Sequence, residues 1–141
     1  MTEQAMEQVL VKAEALAVIV DHARADAPRE CCGLLIGRPG EILRASPTRN
    51  ARASATAFLV DPRDHFDALR LARAAGFAIV GAYHSHPSSE PEPSPRDIDE
   101  AVYDDFLHLI VGLREGDAAD VRAFRFAAGN FTPVVLVPDV D

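Results

Sequence analysis

Apolar positions along this chain recur at two spacings, and the switches between them mark out its elements. Val9, Ala13, Leu16, Val20 and Ala23 recur at helical spacing, which predicts one amphipathic helix over the N-terminal stretch up to about Arg24. Pro28 closes it. Cys32 to Ile36 (Cys-Gly-Leu-Leu-Ile) is a short apolar run ending at Gly37, as expected of a buried strand. Pro39-Gly40 turns the chain into a second strand near Ile42-Leu43-Arg44, and Ala57 to Val60 reads as a third. Asp61-Pro62 is an N-cap followed by proline at the first helical position. It opens a helix through about Ala75, with Phe66, Leu69 and Ala72 inward, and Gly76 ends it. Phe77 to Tyr83 is a buried strand that delivers His84 and His86 at its C-terminal end. Ser94-Pro95 starts another helix, with Ile98, Ala101 and Val102 as its apolar face. Strands follow at Leu107 to Leu113, Val121 to Phe126 and Val134 to Val137. The expected fold is α/β, a central mixed sheet with helices packed on it, in one domain over residues 1–141.

Composition narrows the function classes. The chain's 141 residues can bury one ordinary core, and an apolar fraction of 48% with mixed charges is that of a globular protein. No apolar run approaches membrane-spanning length, and Met1-Thr2-Glu3-Gln4 lacks the basic and apolar regions of a signal peptide. Cytoplasm and no membrane partner are therefore expected. A net charge of −8 argues against nucleic acid, whose phosphates need a basic footprint. Cys31 and Cys32 are adjacent, a spacing that disfavours a structural disulfide and supplies no CxxC zinc pair. A thiol protease built on them is a poor alternative, because Cys32 opens an apolar strand and is expected to pack as a small hydrophobe.

The chemistry concentrates in one segment. His84 and His86 are one residue apart on a strand, so both imidazoles point to the same side. A carboxylate from a separate element completes a facial set of three, and two histidines, one carboxylate and an open fourth position make a catalytic zinc site. Asp97 is the candidate: Ser94-x-x-Asp97 resembles a capping box, which places Asp97 in a rigid first helical turn. Glu90 and Glu92 compete as ligands, but in a proline-broken loop they are better read as solvated charges. His22, His65 and His108 are read as surface or satisfied core residues.

His84-x-His86-Pro87, six further residues and Ser94-x-x-Asp97 match the signature of the JAMM (MPN+) zinc metalloproteases at every specified position. Upstream, Glu30-Cys-Cys-Gly-Leu-Leu-Ile-Gly37 resembles the strand motif in which that family carries its catalytic glutamate, and Asn50 and the segment from Phe58 to Asp61 are similar to those of small bacterial members. The resemblance implies the JAB1/MPN fold, a curved mixed sheet flanked by helices and related to cytidine deaminases. It implies one Zn²⁺ per chain on His84, His86 and Asp97, Glu30 as general acid/base, and Ser94 assisting the oxyanion. It further implies hydrolysis of the peptide or isopeptide bond after the C-terminal Gly-Gly of a ubiquitin-like, sulfur-carrier protein. A homodimer is compatible with all of this. The tail is expected to enter as an added strand on a sheet edge. Alternatives are a non-catalytic scaffold of the same fold and its DNA-repair-associated branch. A zinc deaminase would need His-x-Glu and Pro-Cys-x-x-Cys motifs, and neither is present.

Overall fold

The computed structural model describes residues 6–52, 59–95, 97, 105–113 and 118–139. The first described element is not a helix but strand β1 (Gln8–Lys12), where Val9 and Val11 are buried and Gln8 and Leu10 are exposed. Helix α1 (Ala13–Asp26) starts only after it and buries Ala15, Ile19 and Ala23. The single helix expected from Val9 onward is thus corrected. Val9 happens to precede Ala13 by four residues, but its own alternation with Val11 has period two, and pairing with the sheet decides it.

Strands β2 (Cys32–Arg38) and β3 (Glu41–Thr48) form a hairpin across Pro39-Gly40. Helix α2 (Pro62–Ala74) is capped as expected, the Asp61 carboxylate accepting from the backbone N–H groups of Arg63 at 2.9 Å and Asp64 at 3.3 Å. Its buried residues are Ala68 and Ala72, which pack on Leu34 and Ile36 of β2. Phe66 is 60% exposed, contrary to its expected inward position. At about 100° per residue it lies roughly 200° around the helix from Ala68. Two alanines bring the helix close to the sheet and leave the phenylalanine outside. Of the third expected strand, residues 57 and 58 lie outside the described residues, and Val60 makes only an isolated antiparallel bridge to Asn50.

Strands β4 (Ala78–His86), β5 (Phe106–Gly112), β6 (Asp120–Ala127) and β7 (Asn130–Asp139) complete the sheet. The expected apolar face Ile98, Ala101 and Val102 lies outside the described residues. Strand order is β1-β3-β2-β4-β5-β6-β7, with β7 returning to β1, so the curved sheet closes into a barrel. Three pairs are parallel (β1 with β3 and β7, β4 with β5) and the other four antiparallel. The β1–β3 pairing spans only Leu10–Glu41 and Val11–Ile42, so β3 beyond Ile42 pairs with β2 alone among the described strands.

One face of the sheet and α1 enclose the main core, with Ile19, Leu35, Tyr83, Leu107, Leu109 and Val111 all but inaccessible. Truncating such a residue to alanine typically costs 2–5 kcal/mol. The opposite face carries α2 over β2, and His84 and His86 further along. No helix among the described residues is long and apolar enough to cross a membrane.

Candidate metal centre

His84 and His86 close β4 between β2 and β5: Cys32 pairs with His84 on one side, and Ile110 and Gly112 pair with His84 and His86 on the other. A strand hydrogen-bonded on both edges holds them rigidly, and both side chains are buried. Their Nε2 atoms lie 3.1 Å apart. Asp97 reaches them from the start of the next helix, its Oδ1 3.3 Å from His84 Nε2 and its Oδ2 3.3 Å from His86 Nε2. The cap that sets this carboxylate is reciprocal. Ser94 N–H donates to Asp97 Oδ2 at 2.8 Å, and Asp97 N–H donates to Ser94 Oγ at 3.1 Å.

The loop between strand and helix fixes the chemistry of His86. Its Nδ1 lies 2.8 Å from the Glu90 carbonyl oxygen, which can only accept, so Nδ1 carries a hydrogen and Nε2 is the nitrogen left for a metal when the ring is neutral. Pro91 is buried against Gly112, where an added Cβ would lie 2.8 Å from the proline Cδ. Glu92 pairs with Arg122 at 3.2 Å. Glu90 and Glu92 are exposed and lie outside the group of His84, His86 and Asp97.

Two imidazole nitrogens and a carboxylate, buried and converging on one point, make a group that could hold a cation. A tetrahedral zinc with bonds of 2.0–2.1 Å has ligand-to-ligand edges of about 3.3 Å. The imidazole-to-imidazole distance of 3.1 Å is close to such an edge, each imidazole has a different Asp97 oxygen at 3.3 Å, and this is the potential metal-holding group found among the described residues. Burial pushes the Asp97 carboxyl up, but hydrogen bonds from His84 and His86 and from the Ser94 backbone outweigh it and hold it well below the usual range. Burial pushes His84 down, toward the neutral ring that a metal needs, whereas for His86 burial is outweighed by the Asp97 and Glu90 hydrogen bonds, which push it up.

Glu30 precedes β2 and is buried. Continuing the β2–β4 register by two residues from Cys32 and His84 sets Glu30 opposite His86, on the same face. Its carbonyl accepts from Asn50 Nδ2 at 3.0 Å. The next amide, Cys31 N–H, donates to Ser85 Oγ at 2.8 Å. Gly33 has a physical reason to follow Glu30 by three: a Cβ there would overlap the Tyr83 ring of the neighbouring strand. Ser85, the Glu90 carbonyl and Tyr83 were not singled out from sequence, since each acts through a partner remote in the chain or through its backbone.

Burial raises the thiols of Cys31 to about 12 and Cys32 to about 11, which leaves no thiolate for nucleophilic work. His22 is satisfied, its Nδ1 2.7 Å from Tyr83 Oη. His108 is not: its Nε2 is buried with no hydrogen-bond partner among the described residues, inside rings from Phe106, Phe126 and Phe131. The expectation of a satisfied core residue fails there because β5 aims the ring into an aromatic box.

Residues 12–127 match the family described as prokaryotic homologs of the JAB domain. This chain belongs to that family. The JAB fold and the motif resemblance therefore agree with the geometry. Among curated JAB-like relatives, the CysO-cysteine peptidase of Mycobacterium tuberculosis is 32% identical over 133 residues, covering 92% of this chain and 91% of the relative. A probable TtuB-protein conjugate cleaving protease of Thermus thermophilus is 42% identical over 117 residues, covering 82% and 74%. The solution structure of protein DSY2949 from Desulfitobacterium hafniense superposes with a TM-score of 0.86 at 26% identity, covering 94% of each chain. In JAB terms, the trio, Glu30 and Ser94 occupy one end of β4 and the elements flanking it.

Proposed function

We propose that the chain is a zinc metallopeptidase that hydrolyses the peptide or isopeptide bond after the C-terminal Gly-Gly of a ubiquitin-like carrier protein. The observation that carries the metal reading is the buried convergence of His84 Nε2, His86 Nε2 and the Asp97 carboxylate, with an oxygen 3.3 Å from each imidazole. The substrate reading is supported by the names of the relatives, a peptidase acting on CysO-cysteine and a protease cleaving TtuB conjugates.

His84, His86 and Asp97 would hold the ion, and three protein ligands leave a fourth position open. When bound, zinc supplies Lewis acidity that lowers the pKa of a bound water from 15.7 to about 7. Glu30, opposite His86, takes up that proton during attack on the carbonyl and delivers it to the leaving amine. Ser94 Oγ already accepts from Asp97 N–H, so its hydroxyl hydrogen is directed elsewhere, and it donates to the developing oxyanion. The docked proline loop narrows the approach, so a tail without side chains reaches the centre with least steric conflict. Affinity then comes from the carrier's folded body, away from the reacting bond.

The test is incubation with ubiquitin-like carriers extended beyond Gly-Gly, read by intact mass. Cleavage after the second glycine is expected, slowed far more by a bulky penultimate residue than by changes after the scissile bond. Equal cleavage of casein would refute the reading.

A further inference from the structure

The peptide unit joining Glu30 to Cys31 is gripped at both ends by side chains rather than by an ordinary ladder bond. Asn50 Nδ2 donates to its carbonyl at 3.0 Å, and its N–H donates to Ser85 Oγ at 2.8 Å. Just beyond, Ser85 N–H donates to the Cys31 carbonyl at 3.1 Å, and Thr48 Oγ1 donates to the Cys32 carbonyl at 2.9 Å. One jaw of this clamp, Ser85, lies between His84 and His86. The other, Asn50, is itself fixed, since its Oδ1 accepts from the N–H groups of Arg52 at 3.0 Å and Leu59 at 2.9 Å.

A fixed peptide plane fixes the backbone dihedral that aims the Glu30 side chain. The carboxylate stands on the order of 4 Å from its Cα, so a plane rotation of roughly 20° moves it by about 1 Å, a displacement that can cost about 10²-fold in rate. Sheet pairing alone would not prevent this, because Glu30 precedes the first residue of β2.

We infer that Asn50 is a positioning residue for Glu30, its amide N–H group holding the Glu30–Cys31 peptide at the orientation that presents the carboxylate to the candidate metal centre. The two arms of Asn50 divide the work. Oδ1 secures the approach to α2, and Nδ2 sets the base. This inference rests on Glu30 being the general base.

Asn50→Asp separates the arms, since it keeps an acceptor for Arg52 and Leu59 but replaces the donor with an oxygen that repels the Glu30 carbonyl. Expected is a kcat at least tenfold lower, with KM, zinc content and Tm close to native. Asn50→Ala removes both arms, and should lower kcat similarly while also lowering Tm. The decisive step is a double-mutant cycle with Glu30→Gln, measured under single-turnover conditions. If Asn50 acts through Glu30, Asn50→Asp adds little to the loss already caused by Glu30→Gln. A kcat within twofold of native in both Asn50 variants, or an equal fold-loss with and without Glu30→Gln, would overturn the inference. Near-native turnover of Glu30→Gln alone would instead overturn the assignment of the base on which it stands.

Discussion

Tyr83 and His84 are adjacent on β4, yet they enter two polar clusters that differ in kind. On the core face, Tyr83 Oη lies 2.7 Å from His22 Nδ1, and His22 Nε2 lies 3.4 Å from Asp26. A neutral His22 can donate to Asp26 and accept from the tyrosine hydroxyl, so every donor meets an acceptor and the chain of bonds is closed. On the opposite face, two histidines and an aspartate again meet, but His86 spends its N–H on the Glu90 carbonyl and its Nε2 faces a carboxylate. Similar residues, differently wired, give a structural brace in one place and a group that could hold a cation in the other. The inventory of a cluster does not decide its role. The balance of donors against acceptors does.

The largest effect should follow from unbalancing the second cluster. Asp97→Ala removes the carboxylate and half of the capping box, so zinc is lost and turnover falls to background; metal analysis beside a carrier-cleavage assay checks both. Glu30→Gln sharpens the distinction between ligand and base. It should keep zinc and fold while kcat drops by roughly 10²–10⁴-fold, the range expected for a lost general acid/base.

His108 tests the same logic through pH. Burial, with a smaller contribution from His84 and against the pull of Asp97, lowers its pKa from 6.5 to about 4. The unfolded chain therefore binds this proton more readily than the folded one. The stability it permits is fully present above pH 6.5 and is lost as pH falls toward about 4, by up to about 3 kcal/mol. His108→Phe suits the surrounding rings and cannot protonate, so its stability advantage over the native protein should widen as pH falls through that window. Denaturant melts at pH 7.5 and pH 5 would show an unchanged gap if the idea is wrong. The smallest effect belongs to the closed cluster. Tyr83→Phe should cost about 1–2 kcal/mol in stability, by leaving His22 without its donor, with zinc content and kcat near native.

The acceptor-rich cluster was legible in the sequence because its parts are local. His84 and His86 share a strand face by period two, and Ser94-x-x-Asp97 announces a first helical turn. The closed cluster was not, since Tyr83 and His22 are 61 residues apart and neither belongs to a motif. The same limit explains the fold. Most strands and the capped helix α2 could be read from periodicity and turn residues. Barrel closure depends on β1 pairing with β7 across nearly the whole chain, and the helical match between Val9 and Ala13 hid β1 altogether. Phe66 misled because hydrophobicity ranks it above Ala68, whereas close helix–sheet approach selects the smaller residue.

Zinc binding to the purified chain tests the central claim most directly, that His84, His86 and Asp97 form a site made for a cation. Titration of the metal-free protein followed calorimetrically should give one zinc per chain. That binding should vanish in a His84→Ala, His86→Ala double variant and persist in His22→Ala, which disturbs only the closed cluster. Full zinc retention by the double variant, or loss of zinc from His22→Ala alone, would contradict it.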